Sequence, residues 1–300
     1  VEVDAKGRIV RDAAGVPVVQ VALATNPRAA WETSDRGLSP ADLAMHVVLP
    51  EVDGRIFGAA VSFKGASDPD PDLQFARIHH RAEPERIAAL VERVSAWHRL
   101  STTAKPQIRP ALVLSTYPGK SWQMAHAVGL DALASAAAIL EALGAEGYAT
   151  APADPKALET ARIDWSLFDY RLALASLPQE LQEDIHLAWG EPEEDDSLQD
   201  GAFRFAAIRA GNALIALQPE RGQVTARDAE YHDVAKVPCH AYVAFYLWLR
   251  QQADALIHIG AHGTLEWLPG KSVALSDACW PEALTRGLPL LYPFIVNDPG

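Results

Sequence analysis

The chain of 300 residues is 49% hydrophobic and 22% charged, the balance of a folded globular protein rather than a disordered one. Its 26 basic against 39 acidic residues leave a net charge of -13, the wrong sign for a phosphate backbone, so nucleic acid is not an expected partner. Cys239 and Cys279 supply neither a disulfide framework nor a CxxC pair, and the longest apolar run, Ala241 to Leu249, is far short of the ~20 residues of a spanning helix, so a cytoplasmic protein is expected.

The chain opens at Val1 without Met and closes on Asn297-Asp298-Pro299-Gly300, so it reads as an internal fragment of a larger multidomain subunit. Val18 to Ala24 is a β-branched run with the look of a buried strand. Ser39-Pro40-Ala41-Asp42 is a capping-box-like helix start with proline at the first helical position, leading through Leu43 towards a short strand, Val47 to Leu49. An extended segment follows over Arg55 to Phe63. Pro84 opens a helix whose apolar stripe, Ile87, Leu90, Val91, Val94 and Trp97, has amphipathic spacing.

Ala111 to Ser115 is a second buried strand, running into the turn Tyr117-Pro118-Gly119-Lys120. Asp131 caps a helix with Leu133, Ala137, Leu140 and Leu143 inward, ended by Gly144 and Gly147. Strand, glycine-bearing loop and helix alternate without internal repeats. That alternation predicts an α/β fold of parallel-strand-rich sheets with flanking helices. From Ala151 to Asp164 the chain is proline-rich and then helical, and Pro178 starts a helix carrying Leu181, Ile185 and Trp189. Gly190 to Asp200 is an acidic loop that reads as a solvated connection rather than a cation collector. Phe203 to Ile208 and Ala213 to Leu217 flank Gly211-Asn212, a hairpin signal. A helix from about His240 to Arg250 feeds a last strand, Ala255 to Ile259. Three parts are expected: an α/β segment over 1–104, an α/β segment with helices and the acidic loop over 105–200, and the hairpin, aromatic helix and final strand over 201–300.

The stretch HIGAHGTLEWLPGKS, His258 to Ser272, puts His262, Glu266 and Lys271 beyond the carboxyl end of that strand, where open α/β sheets bind ligands. His258 and His262 do not make the helical two-histidine metal pair, because four residues on a strand span roughly 13 Å. His262 lies between Ala261 and Gly263 in a turn where backbone can approach a ligand closely. His258, between Ile257 and Ile259, reads as a core histidine. Upstream, Tyr231-His232-Asp233 and Pro238-Cys239-His240 make His232 and His240 further candidates for the same loop cluster. Tyr242, Phe245, Tyr246 and Trp248 read as helix core rather than a ring-binding wall, and Cys239 as a small hydrophobe.

Two Pro-Gly-Lys-Ser turns, Pro118 to Ser121 and Pro269 to Ser272, mimic the tail of a phosphate-binding loop. The positions that need its first glycine hold Leu114 and Leu265, so no nucleotide site of that type is expected. Neither a GxSxG elbow nor a dinucleotide fingerprint follows either strand.

HIGAHGTLEWLPGK, followed by ALSDACWPEAL and LYPFIVNDPG, resembles the signature of the large subunit of ATP-dependent cobaltochelatase, the CobN family, which is related to the large H subunit of magnesium chelatase. GLSPADLAMHVVLPEVDGRI from Gly37, VGLDALASAAAIL from Val128 and HAYVAFYLWLR from His240 agree in order, so the resemblance covers nearly the whole chain. Trp267-Leu268 and the ending YPFIVNDPG favour the cobalt branch over the magnesium branch, which prefers Phe in place of Trp267 and an asparagine-rich ending. Ala261 and Cys239 depart from the pattern, where a larger or polar residue and a proline are usual, and both bear on the fine geometry of the loop.

The resemblance implies insertion of Co(II), as substrate metal, into hydrogenobyrinic acid a,c-diamide in cobalamin biosynthesis. It also implies AAA+ ATPase motor subunits of CobS and CobT type that hydrolyse Mg-ATP, a division of labour that suits a chain without a phosphate loop. Metalation needs a ligand for a partly dehydrated cation and a base for ring N–H protons. His262 and Glu266 are therefore the expected metal-handling and catalytic residues. Lys271 is expected to meet a peripheral carboxylate of the substrate, with His240 and His232 in the same cleft. The family chain is several times longer, so the piece alone is expected to be inactive. The alternatives are magnesium insertion into protoporphyrin, a hydrolase using the same His and Glu around zinc, and a non-catalytic binding domain.

Overall fold

The structure, a computed structural model, describes residues 2–3, 9–11, 17–115, 130–222, 233–260 and 265–292. It is a mixed α/β chain that divides into two compact units. One comprises Val1–Glu92 with Gly270–Ser276, and the other Arg93–Pro269 with Asp277–Gly300.

In the first unit, β1 (Glu2–Val3) and β2 (Ile9–Arg11) form a small antiparallel ribbon, and β3 (Val19–Ala24), β4 (Ile56–Ala66) and β5 (Ile78–Ala82) form a sheet in that order. β3 and β4 are parallel, so the chain between them must cross over, and it does so through helices. These are α1 (Arg28–Glu32), α2 (Pro40–Leu43), a π-helical turn (Ala44–Val48) and α3 (Leu49–Val52). Ser39 caps α2 as its sequence predicts, accepting from the Asp42 amide at 3.1 Å. The strand expected at Val47 to Leu49 is not there. Once Ser39 has nucleated the helix, each further residue adds a backbone bond, and the local β preference of Val47-Val48 is too weak to end it.

The buried Asp42 carboxylate accepts from both the amide and the hydroxyl of Thr25, each at 2.9 Å, which ties α2 to the end of β3. Residues 270–276 return to this unit. The Trp31 indole donates to Ala274 O at 2.8 Å, Trp31 packs on Phe63, and Gly37 at φ 84° lets Val273 O approach so closely that a Cβ would lie 1.9 Å from it.

The boundary between the two units falls within α4 (Pro84–Thr102). This helix forms as expected, but its apolar stripe is not covered: Val91 is 58% and Trp97 43% exposed, while Arg86 and Ala96 are the buried positions. Spacing fixes which residues share a face and not what that face meets.

In the second unit a five-stranded sheet has the order β10 (Ala207–Ala210), β11 (Ala213–Leu217), β6 (Pro110–Leu114), β12 (Ala255–Ile259), β13 (Leu290–Leu291). From β11 to β13 neighbouring strands are parallel, and β10 joins as the antiparallel arm of the Gly211-Asn212 hairpin. β7 (Ile163–Ser166), β8 (Leu198–Gln199) and β9 (Ala202–Phe205) make a separate antiparallel sheet. One face of the main sheet packs on α5 (Ala132–Ala145), which Asp131 caps by accepting from the Ala134 amide. The other face packs on α8 (His240–Gln252), with α6 (Leu167–Leu174), α7 (Gln179–Trp189) and α9 (Trp280–Thr285) around it. Eight consecutive residues of α8, Tyr242 to Leu249, are buried, so its aromatics are helix core.

The acidic loop is more than a solvated connection. Asp195 accepts from the Ala241 amide at 3.1 Å, placing a carboxylate on the N-terminal turn of α8, and Arg171 pairs with Glu193 at 2.5 Å.

Candidate functional site

Alternate residues of a strand share a face. On the α8 face of the main sheet, Leu214 and Ala216 of β11, Ala111 and Val113 of β6, and Leu256 of β12 are apolar and buried. Continuing each column by two residues reaches Gln218, Ser115 and His258. β11 and β6 thus turn polar just past their carboxyl ends and β12 one step earlier, His258 pairing with Val113, and all three residues are at least 96% buried. Parallel α/β sheets present their ligand crevice at that edge.

From α8, Tyr242 and Tyr246 direct hydroxyls into this layer. Gln218 Nε2 donates to Tyr242 at 2.9 Å and to Tyr246 at 2.8 Å, and the Tyr246 oxygen lies 3.3 Å from His258 Nε2. The imidazole stacks between the rings of Tyr246 and Tyr292, at 6.1 and 5.5 Å. Burial pushes its pKa down to about 4, so the ring is neutral near pH 7, and burial raises that of the Tyr246 phenol well above its ordinary value. His258 Nδ1 and Ser115 Oγ are buried without a hydrogen-bond partner. For His258 the core placement expected from its neighbours holds, with one ring nitrogen engaged.

The motif loop is tied to the chain that leaves β11. Glu266, exposed in a short 3-10 turn (Leu265–Trp267), is near enough for its charge to raise the Tyr246 phenol further. The buried Arg221, three residues beyond Gln218, donates from its guanidinium to Trp267 O. His262 and His232, like the turn at Pro118 to Ser121, lie outside the described residues.

The remaining candidates have protein partners. His240 is buried with both nitrogens engaged: Nε2 donates to Gly190 O at 3.1 Å, which leaves Nδ1 to accept from the Tyr170 hydroxyl at 2.7 Å. Burial lowers its pKa, so a ligand could reach a nitrogen only by displacing a protein partner. Lys271 belongs to the first unit, where its ammonium donates to Glu32 O at 2.9 Å and Ser34 O at 3.2 Å and sits 5.4 Å from the centre of the Trp31 ring. Cys239 is half-buried as a residue, but burial pushes its thiol up to about 12 and the thiol donates to Glu220 O at 3.3 Å, so it is a neutral packed side chain rather than a thiolate ligand. Among the described residues, no three His, Cys, Asp or Glu side chains converge as a metal centre would require.

Sequence reasoning misses Gln218, Ser115, Tyr246 and Tyr292. The readable signal is the switch from apolar to polar two residues beyond each buried strand column. It becomes informative only once the strands are known to be parallel neighbours.

A family model described as CobN/Magnesium Chelatase matches residues 2–300. The aerobic cobaltochelatase subunit CobN of Sinorhizobium sp is 41% identical over 97% of this chain and 24% of its own length. The H subunit of magnesium chelatase from Rhodobacter capsulatus is 30% identical over 90% of this chain and 24% of its own. Among solved structures, the catalytic subunit of cobaltochelatase from Mycobacterium tuberculosis superposes with a TM-score of 0.81 at 38% identity, covering 95% of this chain and 25% of that one. The chain therefore spans about a quarter of the length of the relatives it matches.

Proposed function

Since the chain belongs to the CobN/magnesium chelatase family, we propose that it forms part of the large subunit of a cobaltochelatase that inserts Co(II) into hydrogenobyrinic acid a,c-diamide, driven by AAA+ motor subunits of CobS and CobT type. Cobalt is favoured over magnesium by the 41% identity to the CobN relative against 30% to the magnesium-chelatase relative. The observation that carries the assignment of the site is the polar layer at the carboxyl edge of the parallel strands, beyond whose β11 end Arg221 holds the Glu266 turn through Trp267 O. The same edge is where the chain enters the segments bearing His262, after β12, and His232, after β11.

Metalating a macrocycle requires three things of the protein. It must hold the ring, replace some of the water around a divalent cation, and accept the ring N–H proton. An exposed carboxylate on a tight turn suits the last two tasks, because it presents hard oxygen ligands and a base without burying its charge. Glu266 is the base in this reading, and His262 the nitrogen ligand that hands the metal to the ring. His232 is a further member of the cleft. Lys271 and His240, the other two candidates, have protein partners, so a substrate would have to compete for them.

The test is insertion by the full-length subunit with its motor subunits, for wild type, His262→Ala and Glu266→Ala. Each variant is expected to lose at least ~100-fold in insertion rate while still binding the corrin diamide, as followed by tryptophan quenching. Undiminished insertion by both would overturn the site, and a strong preference of the wild type for protoporphyrin would transfer the protein to the magnesium branch.

A further inference from the structure

We propose that a cleft in the first unit binds the peripheral arms of the macrocycle, Arg36 taking a carboxylate and Asp35 a neighbouring carboxamide. The inference rests on the chelatase reading above and adds the groups that recognise the substrate's rim. The cleft has a volume of about 620 Å³, the size of a small-molecule site. It is complete within the first unit, since its lining comes from the stretch Asn26 to Pro40 and from Ser272.

The lining is built without a ligand, because its loop is pinned to the returning segment 270–276. The Lys271 ammonium donates to Glu32 O and Ser34 O, and the Ser272 amide donates to Asp35 O at 2.8 Å. Gly37 closes the same turn at φ 84°, where Val273 O leaves no room for a side chain. A cleft held in this way loses little affinity to the ordering of its own walls.

The donors of this lining are not consumed by the protein. Ser34 Oγ accepts from the Gly37 amide at 3.3 Å and Ser39 Oγ from the Asp42 amide at 3.1 Å, so each hydroxyl keeps its hydrogen to give. The guanidinium of Arg36 and the carboxamide of the half-buried Asn26 have no protein partner among the described residues. Arginine holds a carboxylate through two parallel N–H bonds, a geometry that lysine lacks. Lys271, expected from sequence to meet such a carboxylate, is bonded already. Arg36 and Asp35 are the two charged residues of the lining. With one charge of each sign, the cleft offers a phosphate dianion no net attraction and suits a ligand that presents an anionic oxygen and an N–H donor together. A corrin acid with two of its carboxylates converted to amides carries that pair of groups, whereas protoporphyrin has carboxylates and no amide.

The experiment titrates metal-free corrin diamide into the full-length subunit, read by tryptophan quenching, for wild type, Arg36→Gln and Asp35→Ala. Both side chains are exposed, so neither change opens the core. Arg36→Gln is expected to weaken binding about tenfold, and an unchanged affinity overturns the proposal. Asp35→Ala is compared with wild type on the diamide and on the parent acid, which has carboxylates in place of both amides. The wild type is expected to prefer the diamide and the variant to lose most of that preference. Equal preference in both proteins, or none in the wild type, overturns the Asp35 contact. Insertion of cobalt by the wild type beside unchanged binding in Arg36→Gln would refute the cleft and leave the chelatase reading standing. A tenfold loss in Arg36→Gln beside a wild type that inserts no cobalt would uphold the cleft and overturn the chelatase reading.

Discussion

At the scale of single residues, burial decides the chemistry. Two isoleucines flanking His258 make its core placement legible, but its partner Tyr246 lies twelve residues earlier on a different element, and only helix-on-sheet packing brings the two together. The imidazole has a pKa near 4 when folded, against an ordinary 6.5. The unfolded chain therefore binds a proton that the folded one refuses between those values. The contribution is fully present above pH 6.5 and is lost as the pH falls towards 4. That difference corresponds to about 3 kcal/mol. Urea midpoints read by tryptophan fluorescence should fall across that window, and His258→Phe, which cannot titrate, should remove this part of the dependence. An identical pH profile in the variant would contradict the assignment.

At the scale of elements, the legible ones are those whose signals are local. Ser39 and Asp131 cap helices because the bonds they make, to the amides of Asp42 and Ala134, close within three residues. Ser166 and Asp169 make the same kind of start to α6 and escape the sequence reading: the Ser166 hydroxyl accepts from the Asp169 amide at 3.1 Å and donates to its carboxylate at 2.6 Å. Val47 to Leu49 reads as a strand only when β propensity is set above a helix already under way. The better signal is Met45, Val48, Leu49 and Val52, spaced as one helical face. α8 depends on a cap that no local reading could find, since the Asp195 carboxylate accepts from the Ala241 amide across 46 residues. Asp195→Ala is expected to destabilise the second unit by ~1 kcal/mol, and Asp195→Asn by less because the amide oxygen still accepts. Both are read from the urea midpoint, and no shift for alanine would remove Asp195 from that role.

At the scale of the whole molecule, two apolar stripes lie open, Met45, Val48, Leu49 and Val52 in the first unit and Ile87, Val91 and Val94 along α4. Solvated stripes of that length usually mark an interface. With relatives about four times as long, the rest of the subunit is the expected cover. The 300-residue piece should accordingly bind more of an apolar fluorescent dye per mole than the full-length subunit, and equal binding would leave the stripes exposed in both. Family membership, the α/β alternation and the HIGAHGTLEWLPGK stretch were determined by the sequence itself, because they depend on residue order, periodicity and short-range bonds. The tertiary structure alone decided that Ser115, Gln218, Tyr246, His258 and Tyr292 share one buried layer, and that Lys271 belongs to the other unit from Glu266. The physical reason is the same for both: parallel strands pair across long stretches of chain, so which residues become neighbours is set by sheet order and packing, and no local pattern encodes it.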